Sequence, residues 1–313
     1  MKKILIYRHC SLGDFIVAIP AIRLIRKLNP GAQIYLASLK KNDKRFVTPN
    51  LIPLENCYIN NFIFFNYNFF SIYSFLKNIR KHNFDELYYL NEVSSIIRLK
   101  RDKMIFSLLN IKKKIGFDLI KYDYDSFNET YYLCKRVKKD VKKNSISFSK
   151  IFKKKKKQYS YITLSIGGKN ESRKWSIENW IELIKMIHLK FPKIKIYIIG
   201  TLHDFKKANE ITKLNKRKIF NLCGKTNTKQ LFNKVKFSGY HISHDDGTMH
   251  VASCFEKNGV SIFGLTDKKG KWFPTNNNLK IFYPNKNINE IKAKNVFTRV
   301  NFDLKRLFKK KIL

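Results

Sequence analysis

Acidic residues are scarce in this chain: 23 Asp and Glu stand against 64 Lys and Arg in 313 residues, a formal net charge of +41. Such a surplus attracts any polyanion, whether nucleic acid, an anionic membrane face or a phosphorylated substrate, and does not choose among them. The lysines fall in blocks such as KRVKKDVKKN (135–144), KKKKKQ (153–158) and LKRLFKKKIL (304–313). Asn, Ile and Phe are also frequent, so a solvated surface position accounts for most of these lysines. The five cysteines, at 10, 57, 134, 223 and 254, are odd in number and form no CxxC. That excludes a disulfide scaffold, and with no signal peptide it predicts free thiols in a reducing cytoplasm. The most apolar stretch, FIFFNYNFFSIYSFL (62–76), is interrupted by Asn66 and Asn68 and is too short to span a bilayer. The chain is expected in the cytoplasm, at most peripheral on the inner face of the membrane. Neither an aromatic RNP stretch nor a zinc-finger spacing is present to turn the charge into a nucleic-acid module.

The apolar fraction, 44%, is ordinary for a globular protein, and the length suits two domains. KILIY (3–7) reads as a strand, then a turn with one glycine, then DFIVAIPAIRLIRKLNPG (14–31) with Phe15, Ile19, Ile22 and Ile25 at helical spacing. Pro20 inside that stripe predicts a tightened or kinked start, and Pro30-Gly31 a stop. AQIYLAS (32–38) and ELYYL (86–90) are further strands, and FSLLNIKKKIGF (106–117) reads as a helix leading into another. After the lysine block at 153–157 the pattern restarts: strands at YITLSIGG (161–168), KIYIIG (195–200), KIFNLCG (218–224), YHIS (240–243) and GVSIFG (259–264), with helix-length segments between. One of those helices, 176–192, carries Ser176 as N-cap and Asn179 three residues on. Strands separated by helices predict parallel sheets, here twice: an N-terminal domain over 1–152 and a C-terminal domain over 158–313, the last helix packing back on the first domain.

Three segments carry polar chemistry. In HISHDDGTMHVASCF (241–255) a strand ends at Asp245 and a helix begins near Thr248, which predicts an anion seat of free N–H groups, with Gly247 allowing close approach and His250 beneath the turn. A capped turn over a buried histidine reads equally well. A metal site is not expected, because alternation along a strand sends His241 and His244 to different sides. In SIGGKNESRKWSIENW (165–180), Gly167 and Gly168 end a strand and Arg173 and Lys174 precede a helix, an arrangement suited to a diphosphate. In IFGLTDKKGKWFP (262–274), Thr266 and Asp267 would line the same rim. Asp204, in GTLHDF, reads either as a contact to a nucleotide ribose or as an exposed aspartate at a helix start. The first turn, SLGD, poses a question of its own: Asp14 stands where a phosphate would sit in a nucleotide-binding turn, so it is either a helix cap or a reacting carboxylate.

SLGDFIVAIPAIR, KKIGFD (113–118), SRKWSIENW, CGKTNTKQLFNKVKFSGYHISHDDGTMHVAS and FGLTD occur in an order and spacing that resembles the heptosyltransferases of lipopolysaccharide synthesis, glycosyltransferase family nine. The resemblance implies a GT-B fold, two Rossmann-like α/β domains with parallel sheets facing across a cleft. It implies an inverting, metal-independent transfer without a cofactor, of heptose from ADP-heptose to a lipid-linked or phosphorylated glycan acceptor. Asp14 then becomes the catalytic base, with Ser11 and Gly13 beside the acceptor. Arg173 or Lys174 takes the place of the lysine before the tryptophan. Asp245, Asp246, Gly247 and His250 fall on an Asp-(Ser/Thr)-Gly-x-x-His signature in which Asp246 replaces a hydroxyl and Thr248 a proline, and Thr266 and Asp267 fall on the Thr-Asp after the last strand. The basic segments and the 62–76 aromatics are the expected acceptor or membrane contacts. A same-fold transferase for another nucleotide sugar, a non-catalytic sugar-nucleotide binder and a polyanion binder are the competing readings.

Overall fold

The β-branched run at Lys3–Tyr7 forms β1, the middle strand of a five-stranded parallel sheet in the computed structural model. Residues 1–40, 47–53, 58–66, 68–92, 95–118, 121–146, 148, 161–168, 171–266 and 268–308 are described. After β1 come α1 (Leu12–Leu28), β2 (Gln33–Leu39), β3 (Asn61–Phe65), α2 (Phe69–His82), β4 (Glu86–Tyr89), α3 (Ile96–Ser107), β5 (Lys113–Ile115) and α4 (Glu129–Val137). The strands lie in the order β3-β2-β1-β4-β5, every pair parallel. Parallel neighbours need long crossovers, which the helices supply. This unit spans Met1–Ser147.

The second unit, Phe148–Leu313, repeats the scheme. It runs β6 (Tyr161–Ser165), α5 (Ile177–Lys190), β7 (Lys195–Ile199), α6 (Phe205–Thr212), β8 (Ile219–Asn221), α7 (Thr228–Phe237), β9 (Tyr240–His244), α8 (Gly247–Cys254), β10 (Gly259–Ile262), β11 (Leu279–Phe282) and α9 (Ala293–Phe308). Its parallel strands are ordered β11-β10-β9-β6-β7-β8. The central strand β9 is buried along its whole length, as expected for a strand covered on both faces. The α/β class and the two parallel sheets follow the sequence reading.

Several details differ from it. The helix expected over 106–117 ends at Ser107, having started behind Ser95, whose Oγ accepts the Arg98 amide at 3.2 Å. The lysines that follow lie in β5, an edge strand, where charged side chains reach water. Helix α1 continues from Leu12 to Leu28 with Pro20 inside it. Ala293, Val296, Val300 and Leu304 of the last helix are buried in the core that β6, β7 and α5 share. The aromatic stretch 62–76 divides its labour. Ile63, Phe65 and Phe75 enter the first core, whereas Phe70 and Tyr73 are 80% and 61% exposed. Cys10, Cys134, Cys223 and Cys254 are free and buried, and Cys57 lies outside the described residues. Among the described residues no helix is long and apolar enough to cross a membrane.

Gly116 explains the glycine of KKIGFD. Its φ is +95°, and a Cβ there would lie 2.3 Å from the Tyr89 carbonyl oxygen. Both the left-handed backbone and the close approach to β4 require glycine. Gly116→Ala is expected to cost about 1–3 kcal/mol or more of stability in the first unit, read by urea unfolding of the full chain.

Candidate active site

In each unit the parallel strands release their chain at one edge, and the polar residues gather there. In the first unit the turn between β1 and α1 is tied to its neighbours by buried hydrogen bonds. Arg8, 1% exposed, donates from Nε to the Asp14 carbonyl at 3.2 Å and from Nη1 to the Leu90 carbonyl at 2.5 Å. The His9 amide donates to Asn91 Oδ1 at 2.6 Å, and the Cys10 amide to Ser38 Oγ at 3.2 Å. Arg136, also buried, donates to the Asn91 carbonyl at 2.5 Å and to the Tyr122 hydroxyl. Ends of β2 and β4 therefore hold the turn in place.

Ser11 is the N-cap of α1, and Asp14 is the third residue of its first turn. Asp14 Oδ2 accepts from the Ser11 amide at 3.1 Å and from Ser11 Oγ at 2.5 Å. Ser11, Gly13 and Asp14 are all half-buried. The carboxylate is thus both a member of a capping box and partly open at the strand edge, near the positive end of α1.

In the second unit the polar residues singled out in the sequence follow β6, β9 and β10. His244, fully buried at the end of β9, donates from Nδ1 to the Gly167 carbonyl at 2.9 Å and accepts the Trp175 amide on Nε2 at 2.9 Å. Burial pushes its pKa down to about 4, so the ring is neutral, and the Trp175 donor sets its tautomer. This ring joins the glycine turn after β6 to the segment that carries Arg173 and Lys174. A Cβ on Gly264 would lie 2.8 Å from the Arg173 Cα, so the end of β10 closes on the same segment. Lys174 pairs with Glu171 at 2.6 Å. The half-buried Arg173 side chain has no hydrogen bond or ion pair among the described residues, and the Gly167 and Gly168 amides likewise have no partner.

The start of α8 differs from the expectation. Asp246 is its N-cap, and Asp246 Oδ1 accepts the Thr248 amide at 2.8 Å, the Met249 amide at 3.0 Å and Thr248 Oγ1 at 2.7 Å. Its other oxygen accepts from the Ser165 hydroxyl. The anion seat predicted at Thr248 is already filled by the chain's own carboxylate, and Thr248 is itself buried. Burial raises the Asp246 pKa to about 6 against the pull of those four hydrogen bonds. His241 faces the opposite way from His244, between Thr163 Oγ1 at 2.8 Å and Thr248 Oγ1 at 3.3 Å, and burial pushes its pKa down to about 3.

Asp204 is buried, not exposed. Its Oδ2 accepts from the Thr201 amide at 2.9 Å and Thr201 Oγ1 at 2.8 Å. Cβ atoms on Gly167 and Gly200 would lie 2.6 Å and 2.8 Å from that oxygen, so both glycines make room for this carboxylate. Asp245 and Gly247 are half-buried beside the α8 start, and His250 is buried within α8. The Thr266 amide donates to the Tyr283 hydroxyl at 3.2 Å, and Asp267 lies outside the described residues. Sequence reasoning missed Arg8, Asn91, Arg136 and the linking role of His244. A lone arginine closing an apolar strand pointed to Arg8, whereas Arg136 was hidden in a block that reads as surface charge.

The model of glycosyltransferase family 9 (heptosyltransferase) matches residues 101–300. Lipopolysaccharide heptosyltransferase 1 of Campylobacter coli is 28% identical over 134 residues, 42% of this chain and 39% of that protein. The match thus spans about two fifths of that relative's length. A family 9 glycosyl transferase from Veillonella parvula superposes with a TM-score of 0.74 at 14% identity, covering 97% of this chain and 98% of the other. The E. coli heptosyltransferase WaaC with ADP-2-deoxy-2-fluoro heptose gives 0.70 at 14% identity, over 96% and 99%. These structures share the GT-B fold with the present chain.

Asp246 also generates a pH dependence. Desolvation raises its pKa in the folded chain from the ordinary 3.8 to about 6, so ionisation opposes folding; the benefit of the neutral acid is whole below the lower value and is lost as pH rises through the upper one. Asp246→Ser keeps a capping oxygen and removes the charge. Relative to wild type it is expected to gain roughly 3 kcal/mol at most between about pH 4 and about pH 7, measured by urea unfolding at both. An unchanging difference would show that the capping carboxylate carries no such penalty.

Proposed function

This chain belongs to glycosyltransferase family 9, the heptosyltransferases, and is a glycosyltransferase; from that premise we propose that it moves heptose from ADP-heptose to a lipopolysaccharide-core or related phosphorylated glycan, with inversion and without a metal. The observation that carries the reading is Asp14, a half-buried carboxylate on a turn fixed by Arg8 and Asn91 at the strand edge. An inverting transfer needs a base that takes the acceptor hydroxyl's proton as that oxygen attacks the anomeric carbon. Asp14 is that base. The Ser11 hydrogen bonds orient Oδ2. Ser11 and Gly13 flank the acceptor.

The second unit binds the donor. The Gly167 and Gly168 amides and the Arg173 guanidinium grip the diphosphate, and they stabilise it further as the glycosidic bond breaks and charge develops on the leaving oxygen. Lys174 contributes less, because Glu171 already neutralises it. Asp246 keeps the α8 amides for itself, so the phosphates rely on Arg173 rather than on that helix. Asp245, Gly247 and His250 shape the wall beside the nucleotide, with Thr266 and Asp267 at its rim.

A second reading, transfer from another nucleotide sugar, is favoured by the same Asp246, whose charge changes the wall next to the diphosphate. Thermal shifts with ADP-, UDP-, GDP- and CMP-sugars decide between the two, since a ligand held only by the folded chain raises its melting temperature. The largest shift is expected with ADP-heptose.

Asp14→Asn retains an oxygen for the Ser11 amide. It is expected to keep the donor-induced shift and to lose roughly 10²–10⁴-fold in kcat. Turnover at the wild-type rate would eliminate Asp14 as the base and leave it a helix cap, for which a stability change of about 1 kcal/mol is expected. Arg173→Met should weaken donor binding roughly 10- to 100-fold, the worth of charge-assisted hydrogen bonds, as measured by calorimetry.

A further inference from the structure

Away from the strand edge that carries Gly167, Arg173 and Asp246, the second unit has another concave site. Alternate residues of β6, β7 and β8 point to opposite faces. Ile162, Ile196, Ile198 and Ile219 enter the core with α5, α6 and α9. On the other face Tyr161, Tyr197 and Phe220 stand half-buried beside α7. A groove of about 840 Å³ lies there, between α7 and the β7 side of the sheet.

Four cations line it: Lys193, Lys195, Lys225 and Lys234. Among the described residues no carboxylate lines the groove and none pairs with these four. Lys234 is anchored. Its Nζ lies 3.9 Å from the centroid of the Tyr197 ring and 5.5 Å from that of Tyr161, and its carbonyl accepts the Tyr161 hydroxyl at 2.9 Å. A partly desolvated ammonium without a counter-ion gains from an anion more than a fully solvated one does. In sequence, the lysine run 153–157 ends four residues before Tyr161.

The rings discriminate between anions. Tyr197 is covered by Lys234 on one side, stacks on Phe220 at 5.0 Å and meets Tyr161 edge-on at 5.0 Å. That leaves Tyr197 poorly placed to receive a stacked nucleobase, the contact that single-stranded nucleic acid needs. The remaining wall, Thr226, Gln230 and Asn233, consists of hydrogen-bonding side chains suited to hydroxyl groups. We propose that this groove binds a phosphorylated saccharide, its phosphate on Lys193, Lys195 and Lys234 and its hydroxyls against the amide wall of α7. The ligand is of the class to which the proposed acceptor belongs, so the proposal extends that reading while resting on a separate surface.

The test titrates the full-length protein, without nucleotide sugar, with maltotriose carrying one phosphomonoester. Maltotriose, inorganic phosphate and a short oligothymidylate serve as comparison ligands. The phosphorylated trisaccharide is expected to bind more tightly than all three. Lys193→Gln with Lys195→Gln, both exposed, and the same pair with Lys234→Gln should weaken it, the triple by about tenfold or more. Lys280→Gln with Lys294→Gln and Lys305→Gln, exposed positions outside the groove, should change it less than about twofold. Equal loss in that control set, equal affinity for bare phosphate or maltotriose, or tighter binding of the oligonucleotide would overturn the assignment. Asp14→Asn should bind the probe like wild type, so loss of sugar transfer and loss of this site are read independently.

Discussion

Parallel pairing makes every strand of a sheet release its chain at the same edge, and each turn there must satisfy the amides and carbonyls that the sheet no longer uses. In this protein buried polar side chains do so, and by doing so they fix the turns that carry Asp14 and Arg173. Arg8 gathers the carbonyls of Asp14 and Leu90, and Asn91 takes the His9 amide. His244 joins the Gly167 carbonyl to the Trp175 amide. Removing one partner from such a link leaves a buried polar group unsatisfied, a larger loss than the net worth of the bond. The same groups therefore serve stability and geometry together.

The start of α8 shows how a single residue changes such an edge. A hydroxyl cap would satisfy one amide and leave the neutral helix end open to an anion. Asp246 satisfies two amides, the Thr248 hydroxyl and the Ser165 hydroxyl, and brings a charge that burial opposes. Helix and carboxylate compensate one another locally. An anion at this edge would need donors elsewhere, and among the described residues the Arg173 side chain and the Gly167 and Gly168 amides have no partner.

Much of the architecture was legible in the sequence because two signals coincide in it. Apolar runs of strand length alternate with helical stripes, and glycine or proline separates them. Ser176 capping the Asn179 amide at 3.3 Å is a local rule obeyed locally. The misread elements are those decided by distant partners. Residues 106–117 contain a helical pattern, yet the lysines at their end pair with β4 because an edge strand leaves them in water. Asp204 reads as exposed since nothing near it in sequence reveals Gly167, whose missing side chain admits its carboxylate. Asp246 was visible as a departure from the expected hydroxyl, but that it closes the seat it was assigned to could be learned only from its hydrogen bonds.

The charge surplus divides along a chemical line. The cations fixed by hydrogen bonds at the first unit's strand edge are arginines: Arg8 and Arg136. A guanidinium is planar and reaches two acceptors in different directions, which Arg8 does with Asp14 and Leu90, and Arg136 with Asn91 and Tyr122. An ammonium is a compact charge on a flexible stem and holds two carbonyls at fixed angles poorly. Compositional bias can therefore fill the surface with lysine without disturbing these positions. At Lys234, over Tyr197, the constraint comes from an aromatic face rather than from the fork geometry of a guanidinium.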